Sequence, residues 1–188
     1  MEHQVFYISG LGDNYDRFRQ VGMNIWRLFG VQATLIPITW FDGGSLEQKC
    51  ALIIEQIKTA ESNSQKVTLV GESAGASLAL LVAHSQPGVN HVLTLCGVAQ
   101  PDTPISRSLR ARAPALSSAV KQLAKLTRRT DLQQTSVRAL VDTTVQKRYT
   151  IASHARQRVI WSIGHLVTIA LCLTLLAPYM AHLVKDKS

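Results

Sequence analysis

The run Gly71-Glu72-Ser73-Ala74-Gly75 follows Val67-Thr68-Leu69-Val70 directly and leads without a gap into the apolar stretch Ala76 to His84. The residues before it favour a strand and those after it a helix. A G-x-S-x-G pattern in that setting is a nucleophile elbow, a tight and strained turn that lifts a serine hydroxyl clear of a sheet. The flanks must be small because strand and helix pass close together, and Gly71, Gly75 and Ala76 meet that demand. The turn also presents the Ala74 N–H at a helix N-terminus, where it can face a developing oxyanion. The bland alternative is a Gly-rich turn in which Ser73 only caps the helix.

A serine hydroxyl becomes a good nucleophile when an imidazole takes its proton, and the imidazole needs a carboxylate to fix its tautomer. On such an elbow the chain order is Ser, then Asp or Glu, then His. His165 is the candidate base, because it follows Gly164 between the last predicted strand and the final helix. His154 precedes that strand, His182 lies near the end of the helix, and His84 and His91 belong to the segments just after the nucleophile. Asp142 is the candidate acid: it ends the run Ser136 to Val141, and a carboxylate at the C-terminal end of a parallel strand points into the ligand crevice. Asp102 is the rival acid, a few residues after the fourth strand, and Asp131 is less well placed. A second oxyanion donor belongs in the loop after the first strand, where Ser9-Gly10-Leu11-Gly12 offers the Leu11 N–H.

These residues need a scaffold that holds strand ends together. Short apolar runs alternate with amphipathic stretches, which predicts an α/β fold: a three-layer sandwich with a mostly parallel sheet of about six strands. Strands are expected at Val5–Ser9, Ala33–Ile38, Val67–Val70, Val89–Leu95, Ser136–Val141 and Arg158–Ser162. Helices are expected from Tyr15 to Phe29, with Phe18, Val21, Ile25 and Leu28 along one side, from Leu46 to Ile57, and from Ala76 to His84. The stretch 101–132 reads as a small helical cap or insertion on a single domain spanning 1–188, helix-like from Leu116 to Leu126. Leu166 to Val184 reads as one long apolar helix packed on the sheet, free of Lys, Arg, Asp and Glu, and by length alone also able to serve as a membrane anchor or surface contact.

The chain of 188 residues is 46% hydrophobic and 17% charged, a globular composition rather than a disordered one. Its net charge of +8 is uneven: residues 101–160 hold twelve Lys/Arg against three Asp/Glu. That basic middle suits a solvated face, anionic substrates or a membrane surface. It has neither the interleaved aromatics nor the zinc spacing of a nucleic-acid binder, so no nucleic-acid partner is expected. Cys50, Cys96 and Cys172 form no disulfide framework or metal pattern, and no leader is visible, so a cytoplasmic setting is expected.

The segments Tyr7 to Asp13, Gly71 to Gly75, Asp142 and Gly164-His165 resemble the α/β-hydrolase family, in particular its compact, small-capped bacterial esterase-like members. The resemblance implies an enzyme without metal or organic cofactor that cleaves a carboxylic ester or thioester of a small acyl substrate through an acyl-enzyme. It gives Ser73 the attack, His165 the proton and Asp142 the imidazole, with the Leu11 and Ala74 amides on the oxyanion. Two departures are Ser9, where many members have histidine, and a sheet trimmed of two N-terminal strands. A non-catalytic or membrane-associated protein of the same fold, or an acyltransferase, would use the same scaffold.

Overall fold

The computed structural model describes residues 3–62 and 66–185. The described residues form six strands: β1 (His3–Ile8), β2 (Gln32–Ile36), β3 (Lys66–Glu72), β4 (Val89–Leu95), β5 (Gln133–Val141) and β6 (Arg156–Ile163). They make one sheet in the order β2-β1-β3-β4-β5-β6, with every neighbouring pair parallel. The chain first steps outward from β1 to β2, then returns to lay β3 on the other side of β1. The direction of winding reverses there, which opens a crevice at the C-terminal ends of β1 and β3.

Among the described residues, six α-helices lie between the strands and two follow β6: α1 (Asp16–Arg27), α2 (Leu46–Ser62), α3 (Gly75–Ser85), α4 (Arg107–Arg112), α5 (Pro114–Leu123), α6 (Lys147–Thr150), α7 (His165–Leu173) and α8 (Ala177–Lys185). Strand side chains alternate between faces, so each strand feeds two cores. Phe6, Ile8, Val67, Leu69 and Val92 pack under α2, α3 and α5. Val5, Tyr7, Val70, Leu93 and Val137 pack under α1, α7 and α8. In the stretch 101–132, α5 buries Leu116, Ala119, Val120 and Leu123 against α2 and α3, and so serves as the third helix of that layer.

Two expectations are corrected. The face that α1 turns to the core is Arg19, Gly22, Met23 and Trp26, whereas Phe18, Val21 and Leu28 are exposed. Trp26 accounts for much of this: it is fully buried, meets the Tyr7 ring edge-on at 6.1 Å, and donates from its indole N–H to the Cys172 carbonyl at 3.1 Å. The apolar run Leu166 to Val184 is two helices bent by 78° rather than one. Thr174 leaves helical geometry at φ −120 and ψ −92, and Pro178, which has no N–H to donate, sits in the first turn of the new helix. No single helix among the described residues is long and apolar enough to cross a membrane.

Gly22 marks where α1 and α7 touch, since a Cβ there would lie 2.7 Å from the Leu173 Cβ. Gly22→Ala gains about 1 kcal/mol of helix propensity against about 1–3 kcal/mol of overpacking. A Cβ cannot swing aside as a side-chain tip can, so overpacking wins. The expected result is a lower urea midpoint, equivalent to a net loss of up to about 2 kcal/mol, read by equilibrium denaturation.

Candidate active site

Ser73 sits at the end of β3 with φ +48, in the left-handed region that a non-glycine residue occupies only under constraint. The constraint is visible. Its N–H donates to the Leu95 carbonyl at 2.9 Å, and its own carbonyl accepts from the Val98 N–H at 2.9 Å and the Ala76 N–H at 3.2 Å. The glycines are obligatory for space: a Cβ on Gly71 would stand 2.5 Å from the Ala76 Cα, and one on Gly75 2.5 Å from the Ile8 carbonyl oxygen.

The Ser73 hydroxyl meets His165 Nε2 at 2.9 Å, and His165 Nδ1 meets Asp142 Oδ2 at 2.7 Å. All three side chains are largely withdrawn from water, Ser73 at 9% exposure and His165 at 7%. An ionised carboxylate can only accept, so the Asp142 contact places the imidazole proton on Nδ1 and leaves Nε2 to accept from the serine. The other Asp142 oxygen accepts from the Thr144 N–H at 2.8 Å and the Val145 N–H at 3.0 Å. Burial works to raise its pKa, but the His165 contact and these two amides outweigh it and hold the carboxyl below its ordinary range. His165 is set by Gly164, which takes φ +100 and donates its N–H to the Val141 carbonyl at 2.9 Å. That bond ties His165 to the strand that ends at Asp142.

The loop after β1 lies against Ser73, with a Cβ on Gly10 only 2.9 Å from the Ser73 Cβ. Ser9 anchors the start of this loop. Its hydroxyl accepts from the Ile38 N–H at 2.8 Å, and its carbonyl accepts from the Trp40 indole at 3.2 Å. Neither the Leu11 nor the Ala74 N–H has a main-chain partner among the described residues.

Beneath the loop lies a charged group that the sequence reading missed. Glu72, 2% exposed, accepts from Arg19 Nε at 2.8 Å and Nη2 at 2.6 Å and from the Tyr7 hydroxyl at 2.8 Å. Arg19 also donates to the carbonyls of Gly12 at 2.9 Å and Leu11 at 3.3 Å and to Asp16 at 2.7 Å. Burial, and then the neighbouring Glu72 charge, push the Tyr7 hydroxyl well above the usual phenol range, so it stays a donor. One signal was available: a glutamate ending an otherwise apolar, central strand must find a buried cation.

Cys96 Sγ, a carboxylate oxygen of Asp142 and a ring nitrogen of His165 lie within 4.8 Å of one another, an arrangement that could be read as metal ligands. The hydrogen bonds compete with that reading, since the ring nitrogens already engage Asp142 and Ser73. Burial, and then the Asp142 charge, drive the Cys96 thiol far above its ordinary value, away from the thiolate a metal needs. The rival residues fall elsewhere. Asp102 is exposed, Asp131 pairs with Arg129, His91 meets Thr135, His84 meets the Leu80 carbonyl, and His154 and His182 are exposed.

No family model and no curated protein matches this sequence. Solved structures do match in shape over nearly the whole chain. They include a monoacylglycerol lipase from Paleococcus ferrophilus, with TM-score 0.71 and 11% identity over 96% of this chain and 93% of that one. A carboxyl esterase from the mycorrhizal fungus Tuber melanosporum aligns at TM-score 0.68 and 14% identity, covering 97% of this chain and 77% of that one. The bottromycin epimerase BotH aligns at TM-score 0.63 and 12% identity over 98% and 91%. At such identities the likeness is one of architecture: the chain has the α/β-hydrolase fold, in a trimmed, six-stranded, all-parallel form.

Two outcomes follow from the charges. Arg19→Met strands a buried carboxylate and is expected to cost about 3–5 kcal/mol in urea denaturation. The double variant Arg19→Met/Glu72→Gln should cost clearly less than the two single variants together, because the groups act as one. A carboxyl held low in the folded state stabilises above its unfolded value of about 3.9 and loses that contribution as pH falls below it. Asp142→Asn should therefore show a shallower loss of stability than wild type between about pH 4 and pH 2, followed by urea midpoints across that range.

Proposed function

We propose that the chain is a serine hydrolase that cleaves a carboxylic ester or thioester through an acyl-enzyme. The single observation that carries this reading is the continuous contact from Ser73 through His165 to Asp142, at 2.9 Å and 2.7 Å, on a left-handed serine. The names of two solved structures of this fold, a lipase and an esterase, support the same bond class.

As substrate docks, the Ser73 oxygen attacks the acyl carbon while His165 Nε2 takes the hydroxyl proton. The carbonyl oxygen gains the charge and is met by the Leu11 and Ala74 N–H groups, each such donor being worth about 10²–10³ in rate. His165 returns its proton to the leaving alcohol or thiol, the C–O or C–S bond breaks, and Ser73 is left acylated. Water then enters, gives a proton to His165 and its oxygen to the acyl carbon, and the serine leaves with that proton. Asp142 stays ionised throughout and stabilises the imidazolium. Arg19 acts one step back, holding the Leu11 and Gly12 carbonyls so that the loop keeps its shape. An acyltransferase would share every step but the last, where an alcohol or amine replaces water.

A fluorophosphonate probe tests the reading directly. Wild type should label at Ser73, with labelling abolished in Ser73→Ala and reduced about 10⁴-fold in rate in His165→Ala and Asp142→Asn. Asp102→Asn should label as wild type does. A folded wild type that does not label would refute the enzyme and leave a binding protein of this fold.

A further inference from the structure

We infer that the rim of the site, the C-terminal edge of the sheet, docks on an anionic lipid surface. The central observation is Trp161, which is 87% exposed on β6, the edge strand of the sheet. Ile160 and Ser162 face α7, the first in its core and the second hydrogen-bonded to Thr168 at 2.7 Å. A register shift against β5 between Ala139 and Val141 leaves Ile163 paired with Val141, and Trp161, between Ile160 and Ser162, turns to the other face. There the β5–β6 crossover supplies only the four-residue α6, and that end of the sheet is left bare. Ile163 is 72% exposed, and Leu140 and Val141 adjoin it from β5 at 45% and 47%. Past Gly164 the apolar surface continues through Leu166 and Val167. Leu166 then lines a groove of about 330 Å³ with Tyr15 and Phe18, between α1 and α7.

The charge around this surface says what covers it. Lys147 and Arg148 on α6 and Arg107, Arg110 and Arg112 on α4 are exposed, and none forms an ion pair with another described residue. Arg112 stacks over the exposed Phe41 ring at 4.6 Å, which places α4 at the β2 end of the same rim, across the sheet from Trp161. Among nearby acids Asp42 is already bound to Lys49 at 2.8 Å, leaving Glu47 and Asp102 as exposed exceptions. A second copy of this chain would bring these cations against each other. An anionic bilayer matches both features, since tryptophan settles at the headgroup level and basic side chains meet the surface potential. The contact involves the rim, with the exposed first turn of α7 but not the buried face of α7 or α8, and it goes beyond the hydrolase reading without requiring it.

The full chain is mixed with phosphatidylcholine vesicles, with or without about one-third phosphatidylglycerol, at roughly 0.1 M salt. Trp26 and Trp40 are fully buried, so any emission shift reports Trp161 alone. The expected result is co-sedimentation with the anionic vesicles only, with a blue shift of the emission. Lys147→Gln/Arg148→Gln should weaken partitioning about 25-fold, near fivefold per charge, and Trp161→Ser about tenfold. Unchanged thermal unfolding of both variants would show that the loss is not misfolding. The inference is overturned by equal binding to neutral vesicles, by an unshifted emission, or by variants that bind as wild type does. It is also overturned by a dimer in light scattering whose emission is already blue-shifted without lipid. Fluorophosphonate labelling is independent of all these readouts, so failure of the hydrolase reading would be seen separately.

Discussion

A fixed negative charge at the centre of a parallel sheet is the constraint around which this molecule is arranged. Glu72 ends the central strand one residue before Ser73, in surroundings where an unpaired carboxylate costs several kcal/mol. Its partner comes from 53 positions earlier, on α1, and the planar guanidinium engages both carboxylate oxygens. That fork has donors to spare, and they take the carbonyls of the loop beside Ser73. One ion pair thus fixes the rotation of α1 about its axis, the seat of that helix on β3, and the form of the loop that borders Ser73. Tyr7 adds β1 to the same group.

The rest of the site follows from strand ends. Ser73, Asp142 and Gly164-His165 lie at the C-terminal ends of β3, β5 and β6, and a parallel sheet puts those ends on one side. Only backbone detail remains to be set, and it is set by left-handed residues at Ser73, Cys96 and Gly164, each held by a hydrogen bond to a neighbouring strand or its flank. The strain is local, and the sheet that absorbs it is rigid.

Much of this was legible in the sequence, for identifiable reasons. Strand and helix alternate with periods that single residues report well, so all six strands and their parallel direction could be anticipated from apolar runs and crossover lengths. Ser73, Asp142 and His165 stood out because the elbow restricts the order of its partners, and these three are the residues found in contact. What escaped notice depends on distant pairing. The stripe Phe18, Val21 and Leu28 is the more apolar side of α1, yet Arg19 is the buried one because of Glu72. α4 and α6, of six and four residues, are too short to carry a periodic signal. The break at Thr174 lies inside an unbroken apolar run, with Pro178 as its only mark. Ser9 looked like a substitution for histidine, and its hydroxyl turns out to hold the Ile38 amide.

The position of His165 has a consequence for the order of events during synthesis. His165 lies 92 residues beyond Ser73, on the segment that follows the last strand. A growing chain emerges N-terminus first, so the elbow and its glycines can be complete while no imidazole is yet within reach. Until the edge strand closes the sheet and Gly164 bonds to Val141, the serine is an ordinary hydroxyl on a strained turn. On the proposed reading, a ribosome-bound or C-terminally clipped chain would be chemically silent, and reactivity would switch on only with the finished fold.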